Sequence, residues 1–125
     1  MRVAVIGSRG LTVNNLEKYL PADTSEIISG GARGVDGCAR AYAQKAGIPL
    51  KEFLPEYRRY GRCAPIKRNL TIIENADMVI AFWDSVSHGT KYVINACLKK
   101  QIPIKVYIYR DSAQKYSLIP LLSAI

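Results

Sequence analysis

The residues best suited to chemistry lie in one stretch, Ser29-Gly30-Gly31-Ala32-Arg33-Gly34-Val35-Asp36. The apolar pair Ile27-Ile28 precedes it, and an amphipathic run over residues 35–46 follows. That order predicts a strand, a glycine turn and a helix. Backbone N–H groups at a helix start have no partner inside the helix. With the peptide dipoles aligned behind them, they suit an anion such as phosphate. Gly30, Gly31 and Gly34 let the backbone turn sharply and let a ligand approach. Arg33 could add a charge-assisted contact, and Asp36 falls in the first helical turn, where a negative side chain is favoured. The same residues also read as a plain tight turn with Asp36 serving the helix start. Their spacing matches neither GxGxxG nor GxxxxGK[ST], and Gly89-Thr90-Lys91 also has the wrong order for the latter.

Other chemistry-bearing residues are fewer. His88 is the single histidine and could contact a ligand from the loop before a helix. With no second histidine and no ordered set of cysteines, no metal site is expected. Asp84 follows the apolar run 78–83 and could either contact a ribose or cap its own loop. The three cysteines, Cys38, Cys63 and Cys97, show no CxxC spacing, so a reduced, cytoplasmic protein is expected. Cys38 and Cys97 fall on apolar helix faces and read as small core residues.

The elements that must position these residues can be read in chain order. Residues 2–6 form an apolar strand ending in Gly7-Ser8-Arg9-Gly10. Thr12 or Asn14 could cap a helix carrying Leu16, Tyr19 and Leu20 on one face, broken by Pro21. Residues 27–28 form the second strand. The helix over 35–46 turns Val35, Cys38, Ala39, Tyr42, Ala43 and Ala46 to one side, and Gly47 stops it. Residues 48–54 form a charged third strand containing Pro49, suited to a sheet edge. Residues 55–64 read as a basic, aromatic loop. Pro65 opens a helix with Ile66, Leu70, Ile73 and Ala76 inward. Residues 78–83 form an apolar fourth strand, and the helix after Thr90 places Val93, Ala96 and Cys97 inward. Ile104, Val106 and Ile108 alternate with Lys105, Tyr107 and Tyr109 in a fifth strand. The tail, 111–125, carries the apolar run 118–122, which could pack on the core or form an oligomer contact.

Alternating strands and helices predict an α/β chain, a single domain over 1–125, with a mainly parallel sheet of about five strands and helices on both faces. Strands apolar on both faces belong in the centre and charged ones at the edges, which gives the order 3-2-1-4-5. Ligands of such sheets bind beyond the carboxyl ends of the strands, where the order reverses. There the loops 7–10 and 84–90 meet, with 29–36 beside them.

Composition agrees with an anionic partner. Lys and Arg total 18 against 10 acidic residues, a net charge of +8, which favours nucleotides, nucleic acid or an acidic surface. The same charge also serves as a solvated basic surface. The N-terminus shows no signal-peptide pattern, and no apolar segment approaches membrane-spanning length, so no membrane partner is expected.

The ordered motifs GSR, SGGARGVD, RN at a helix and AFWD followed by SxGT resemble the YspA/YpsA-related branch of the SLOG superfamily over roughly residues 2–110. That superfamily also holds the lonely-guy phosphoribohydrolases, molybdenum-cofactor carriers and DNA-processing protein A. The resemblance implies a Rossmann-like three-layer sandwich and a site for a nucleotide or an ADP-ribose-like ligand. It implies that Gly7, Ser8 and Arg9 line a first loop, and that Ser29, Gly30, Gly31, Arg33, Gly34 and Asp36 form a second. It further implies that Arg68 and Asn69 face the ligand, and that Ser87, Gly89 and Thr90 hold a phosphate. Tyr57 and Tyr60 match an aromatic stretch and are candidates to stack on a base. One departure bears on activity. The lonely-guy motif PGGxGTxxE carries a glutamate that takes part in cleaving the N-glycosidic bond, and Val93 stands at that position. A valine cannot act as acid or base. The resemblance therefore favours a nucleotide-binding sensor, carrier or low-turnover processing domain. Hydrolysis of a nucleoside-monophosphate N-glycoside and binding of single-stranded DNA are the alternatives, and a homo-oligomer is plausible.

Overall fold

The computed structural model describes residues 1–110 and 115–121. Six strands form one sheet: β1 (Arg2–Gly7), β2 (Glu26–Ser29), β3 (Leu50–Glu52), β4 (Met78–Trp83), β5 (Ile104–Arg110) and β6 (Lys115–Ile119). Their order is β3-β2-β1-β4-β5-β6. All neighbours pair in parallel except β5 and β6, which are antiparallel. The helices are α1 (Val35–Ala46), a single turn α2 (Tyr57–Tyr60), α3 (Ala64–Glu74) and α4 (His88–Lys100). This α/β arrangement is consistent with a Rossmann-like fold.

Burial follows the two-residue alternation of the strands. Val3, Val5, Ile27, Ile80 and Phe82 pack on one face against Val35, Ala39 and Ala43 of α1. Ala4, Ile6, Ile28, Val79 and Ala81 pack on the other against Ile72 and Ile73 of α3 and Val93, Ile94 and Cys97 of α4. Both faces of β1 and β4 are therefore covered, which is why these strands read as unbroken apolar runs. Each fully buried Ile, Val or Phe contributes about 1.5–3 kcal/mol. A Cβ at Gly7 would lie 2.6 Å from Val35 Cβ, so only glycine lets α1 approach the end of β1 this closely.

The expected order of five strands is present, but the sheet has a sixth strand and β5 is not its edge. Residues 115–119 of the tail fold back on β5, with Tyr109 opposite Tyr116 and Tyr107 opposite Leu118. The charge that made β5 look like an edge does not make it one, and its tyrosines belong to an aromatic cluster: Tyr107 lies 4.8 Å from Tyr19 and Tyr116 lies 5.1 Å from Phe82, centroid to centroid. Ile119 and Leu121 of the apolar run pack against the core, while residues 111–114 and 122–125, including Leu122, lie outside the described residues.

Three local expectations change. The helix around residues 16–20 is only a 3₁₀ turn, Leu16–Lys18, because Asn15 takes the left-handed conformation at φ 58°. Residues 57–63, expected as a loop, are helical turns leading into α3. Ile66, expected inward, is 41% exposed. In the first half of α3 it is Pro65, Arg68 and Asn69 that line a cleft at the sheet end. No helix among the described residues is long and apolar enough to cross a membrane.

Candidate functional site

The cleft, of about 450 Å³, opens beyond the carboxyl ends of β1 and β4, where the strand order reverses. Three loops build it. The first follows β1, where Ser8 N–H donates to Phe82 O at 3.0 Å and fixes the loop to β4. The buried Ser8 and Thr90 hydroxyls lie 3.3 Å apart, joining this loop to the start of α4. Ser8 Oγ also accepts the Asp84 N–H at 3.2 Å.

The second loop follows β2. Gly34 precedes α1 at φ 71°, ψ −123°, a conformation only glycine adopts readily. A Cβ there would lie 2.6 Å from Arg9 O and 2.7 Å from Leu11 O, so the glycine also brings the two loops into contact. The Asp36 carboxylate turns back into its own loop and accepts the Ala32 N–H at 3.1 Å. Burial raises its pKa above the usual carboxylate range, an effect offset in part by the Ala32 N–H and the Arg68 charge. Ser29 Oγ is buried beside this carboxylate without a hydrogen bond of ordinary geometry.

Arg68 enters from α3. Its Nη1 donates to Gly30 O at 2.7 Å and to Phe53 O at 3.4 Å, and its Nε donates to Asn69 Oδ1 at 2.7 Å. Burial lowers its pKa and the nearby Asp36 carboxylate opposes that shift; a guanidinium remains charged throughout the physiological range. A Cβ on Gly30 would lie 2.6 Å from Arg68 Nη1. Gly30 therefore serves the guanidinium as much as the turn.

The third wall is the start of α4. Its first turn holds no acid, and its N-cap Ser87 makes no side-chain capping bond. Ser87 Oγ donates instead to Asp84 Oδ2 at 2.7 Å. Asp84 Oδ1 accepts the Val86 and Ser87 N–H groups at 3.0 and 2.7 Å. Partial burial works against the charge of Asp84, but these hydrogen bonds prevail and hold its pKa below the usual carboxylate range. Of its two sequence readings, the structure displays the loop cap.

Of the residues nominated from sequence, Gly7, Ser8, Arg9, Gly30, Arg33, Asp36, Arg68, Asn69, Ser87, Gly89 and Thr90 line this cleft. Ser29, Gly31, Gly34 and Asp84 do not; they shape its loops from behind. Tyr60 lines a second cleft of about 460 Å³, and Tyr57 lines neither. His88 lines the first cleft, as do Pro65 and Ile72, which sequence reasoning did not nominate. The helical spacing of 65, 68, 69 and 72 was the signal that could have found the last two. Val93, 2% exposed, is an apolar part of the wall.

Arg9 and Arg33 are exposed at the rim and form no ion pair among the described residues. Cationic side chains and the free N–H groups of α4 thus face one space that contains a single carboxylate, itself hydrogen-bonded. Such a site can hold an anion. Among the described residues no group of three or more His, Cys, Asp or Glu is placed to hold a metal ion. In comparisons with known proteins, the chain matches no family model, no curated sequence and no solved structure.

Proposed function

We propose that this protein binds a nucleotide or nucleotide-derived ligand in the first cleft of a Rossmann-like three-layer sandwich, as a sensor, carrier or low-turnover processing domain. The observation that carries the reading is the start of α4. It presents unpaired N–H groups, with no acidic side chain in its first turn, to a cleft rimmed by Arg9, Arg33 and Arg68. A phosphate there gains hydrogen bonds and meets the positive end of the helix. A volume of about 450 Å³ falls within the range of small-molecule sites. The hydrolase reading has less support. Val93 offers no acid or base, and the one cleft carboxylate, Asp36, already holds the Ala32 N–H.

Thermal unfolding with AMP, ADP, ATP, ADP-ribose and NAD tests the proposal. A ligand at a hundred times its dissociation constant stabilises by about 2.7 kcal/mol, a rise of several degrees. Arg33 is exposed and carries no structural contact described above, so Arg33→Ala should fold normally and lose most of that rise. Absence of any shift with all five ligands at millimolar concentration would refute the proposal.

A further inference from the structure

Asp36, Arg68 and Asn69 form a continuous polar row on the α1 and α3 side of the first cleft. Gly30 joins the first two: a Cβ there would meet Arg68 Nη1 at 2.6 Å and Asp36 Oδ2 at 3.1 Å. The 2.7 Å bond from Arg68 Nε to Asn69 Oδ1 joins the last two. A guanidinium only donates, so the Asn69 amide must turn its oxygen to Arg68 and its NH2 away. Asn69 Nδ2 has no hydrogen-bond partner among the described residues. Asp36 is oriented in a similar way. The Ala32 N–H occupies Oδ2 at 3.1 Å, and no donor of ordinary geometry occupies Oδ1. Neither atom is enclosed, because among the described residues Ser29 Oγ is the only buried side-chain N or O atom without a partner. Both open on the cleft that their residues line. The row therefore offers an acceptor at one end, a donor at the other and a charged guanidinium between them.

Two neighbouring hydroxyls suit such a row. Each can donate and accept, so one can donate to Asp36 Oδ1 while the other accepts from Asn69 Nδ2. In a nucleotide the group next to the phosphate is the pentose, and the start of α4 faces the same cleft of about 450 Å³. Pro65, Ile72 and Val93 give a base an apolar wall in that space. Resting on the nucleotide reading above, we infer that the ligand is a ribonucleotide whose 2′,3′-diol is read by Asp36 and Asn69, which discriminate it from deoxyribonucleotides. This accounts for the lone carboxylate of a cleft otherwise suited to an anion. A carboxylate repels phosphate, but it is the strongest acceptor a side chain can offer a hydroxyl. Arg68 is a positioning residue here, since it sets which end of the Asn69 amide meets the ligand.

Dissociation constants of AMP, 2′-deoxy-AMP, 3′-deoxy-AMP and IMP, measured by calorimetry on the full chain, test this inference. Removing the hydroxyl that faces Asp36 deletes a hydrogen bond to a charged acceptor and should weaken binding roughly tenfold or more. Asp36→Asn can still accept the Ala32 N–H through its amide oxygen, but it presents NH2 where Oδ1 stood. It should weaken AMP and leave that deoxy analogue within about twofold of its wild-type affinity, so that the preference for ribose collapses. A purely structural role for Asp36 would weaken both ligands alike and overturn the inference. Deoxy analogues that both bind the wild-type protein within about twofold of AMP also overturn it, and leave the nucleotide site standing. If, in that case, IMP binds roughly tenfold more weakly than AMP, the edge of the base and not the pentose occupies the row. Failure of AMP to bind overturns this inference, and failure of the whole thermal-unfolding series overturns the nucleotide reading with it.

Discussion

Replacing Gly30 by alanine separates a turn glycine from a glycine that serves a side chain. The backbone at Gly30 is outside the left-handed region, so alanine meets no conformational penalty there. The obstacle is steric. The new methyl would lie 2.6 Å from Arg68 Nη1, 2.8 Å from Cζ and 3.1 Å from Asp36 Oδ2, and the guanidinium must withdraw. Withdrawal breaks the 2.7 Å bond to Gly30 O and the weaker contact to Phe53 O. A hydrogen bond from a charged donor contributes about 1.5–3 kcal/mol, so the variant should lose about that much stability. In a chain of this length each kcal/mol corresponds to roughly 3–5 °C, so Tm should fall by about 5–15 °C. Gly37→Ala is the control. It lies within α1, a Cβ there meets nothing within 4 Å, and alanine should stabilise by about 1 kcal/mol. Circular dichroism melts of both variants in one buffer, with nucleotide titrations, provide the comparison. If Gly30→Ala melts within about 1 °C of wild type and binds ligand unchanged, Gly30 is a turn residue only and Arg68 is not held as described.

Two further expectations concern the loop after β4. Ser85 sits at φ 73°, which costs a non-glycine residue about 1–2 kcal/mol, while glycine loses roughly 0.4–1 kcal/mol through the unfolded chain. Ser85→Gly should therefore raise Tm by a degree or two, and a fall would contradict the strain. Asp84 is held below its ordinary pKa of 3.8, so its stabilisation is present above that value and is lost as pH falls through the lower folded value. Asp84→Asn should be less stable than wild type near pH 7 by under about 1 kcal/mol. Denaturant melts from pH 7 to 2.5 should show the gap closing only below about pH 3.8, and a gap that persists unchanged to pH 2.5 would mean the charge plays no part.

Much of the architecture was legible in the residues. The runs at Val3–Ile6 and Met78–Trp83 are apolar on both faces because both faces are buried, and that property alone marked them as central. The helix over Val35–Ala46 follows from its spacing and from Gly47, which takes φ 68° at its end. The convergence of the loops after β1, β2 and β4 follows from strand order, and strand order follows from which strands can tolerate water on one side. Tertiary structure decided what the side chains do once gathered. Arg68 reaches a carbonyl 38 residues away, and Ser8 meets Thr90 across 82 residues. Periodicity reports which neighbours share a face within a turn or two, and carries no information on what a long side chain meets across the fold. Asp84 had two readings because its partners, Val86 and Ser87, are equally near in sequence whether or not the loop folds back on the carboxylate. The pairing of β6 with β5 goes with an aromatic cluster drawn from four separate segments, through Tyr19, Phe82, Tyr107 and Tyr109, and Tyr116. In each case local composition was compatible with more than one outcome, and close packing across the fold selected one.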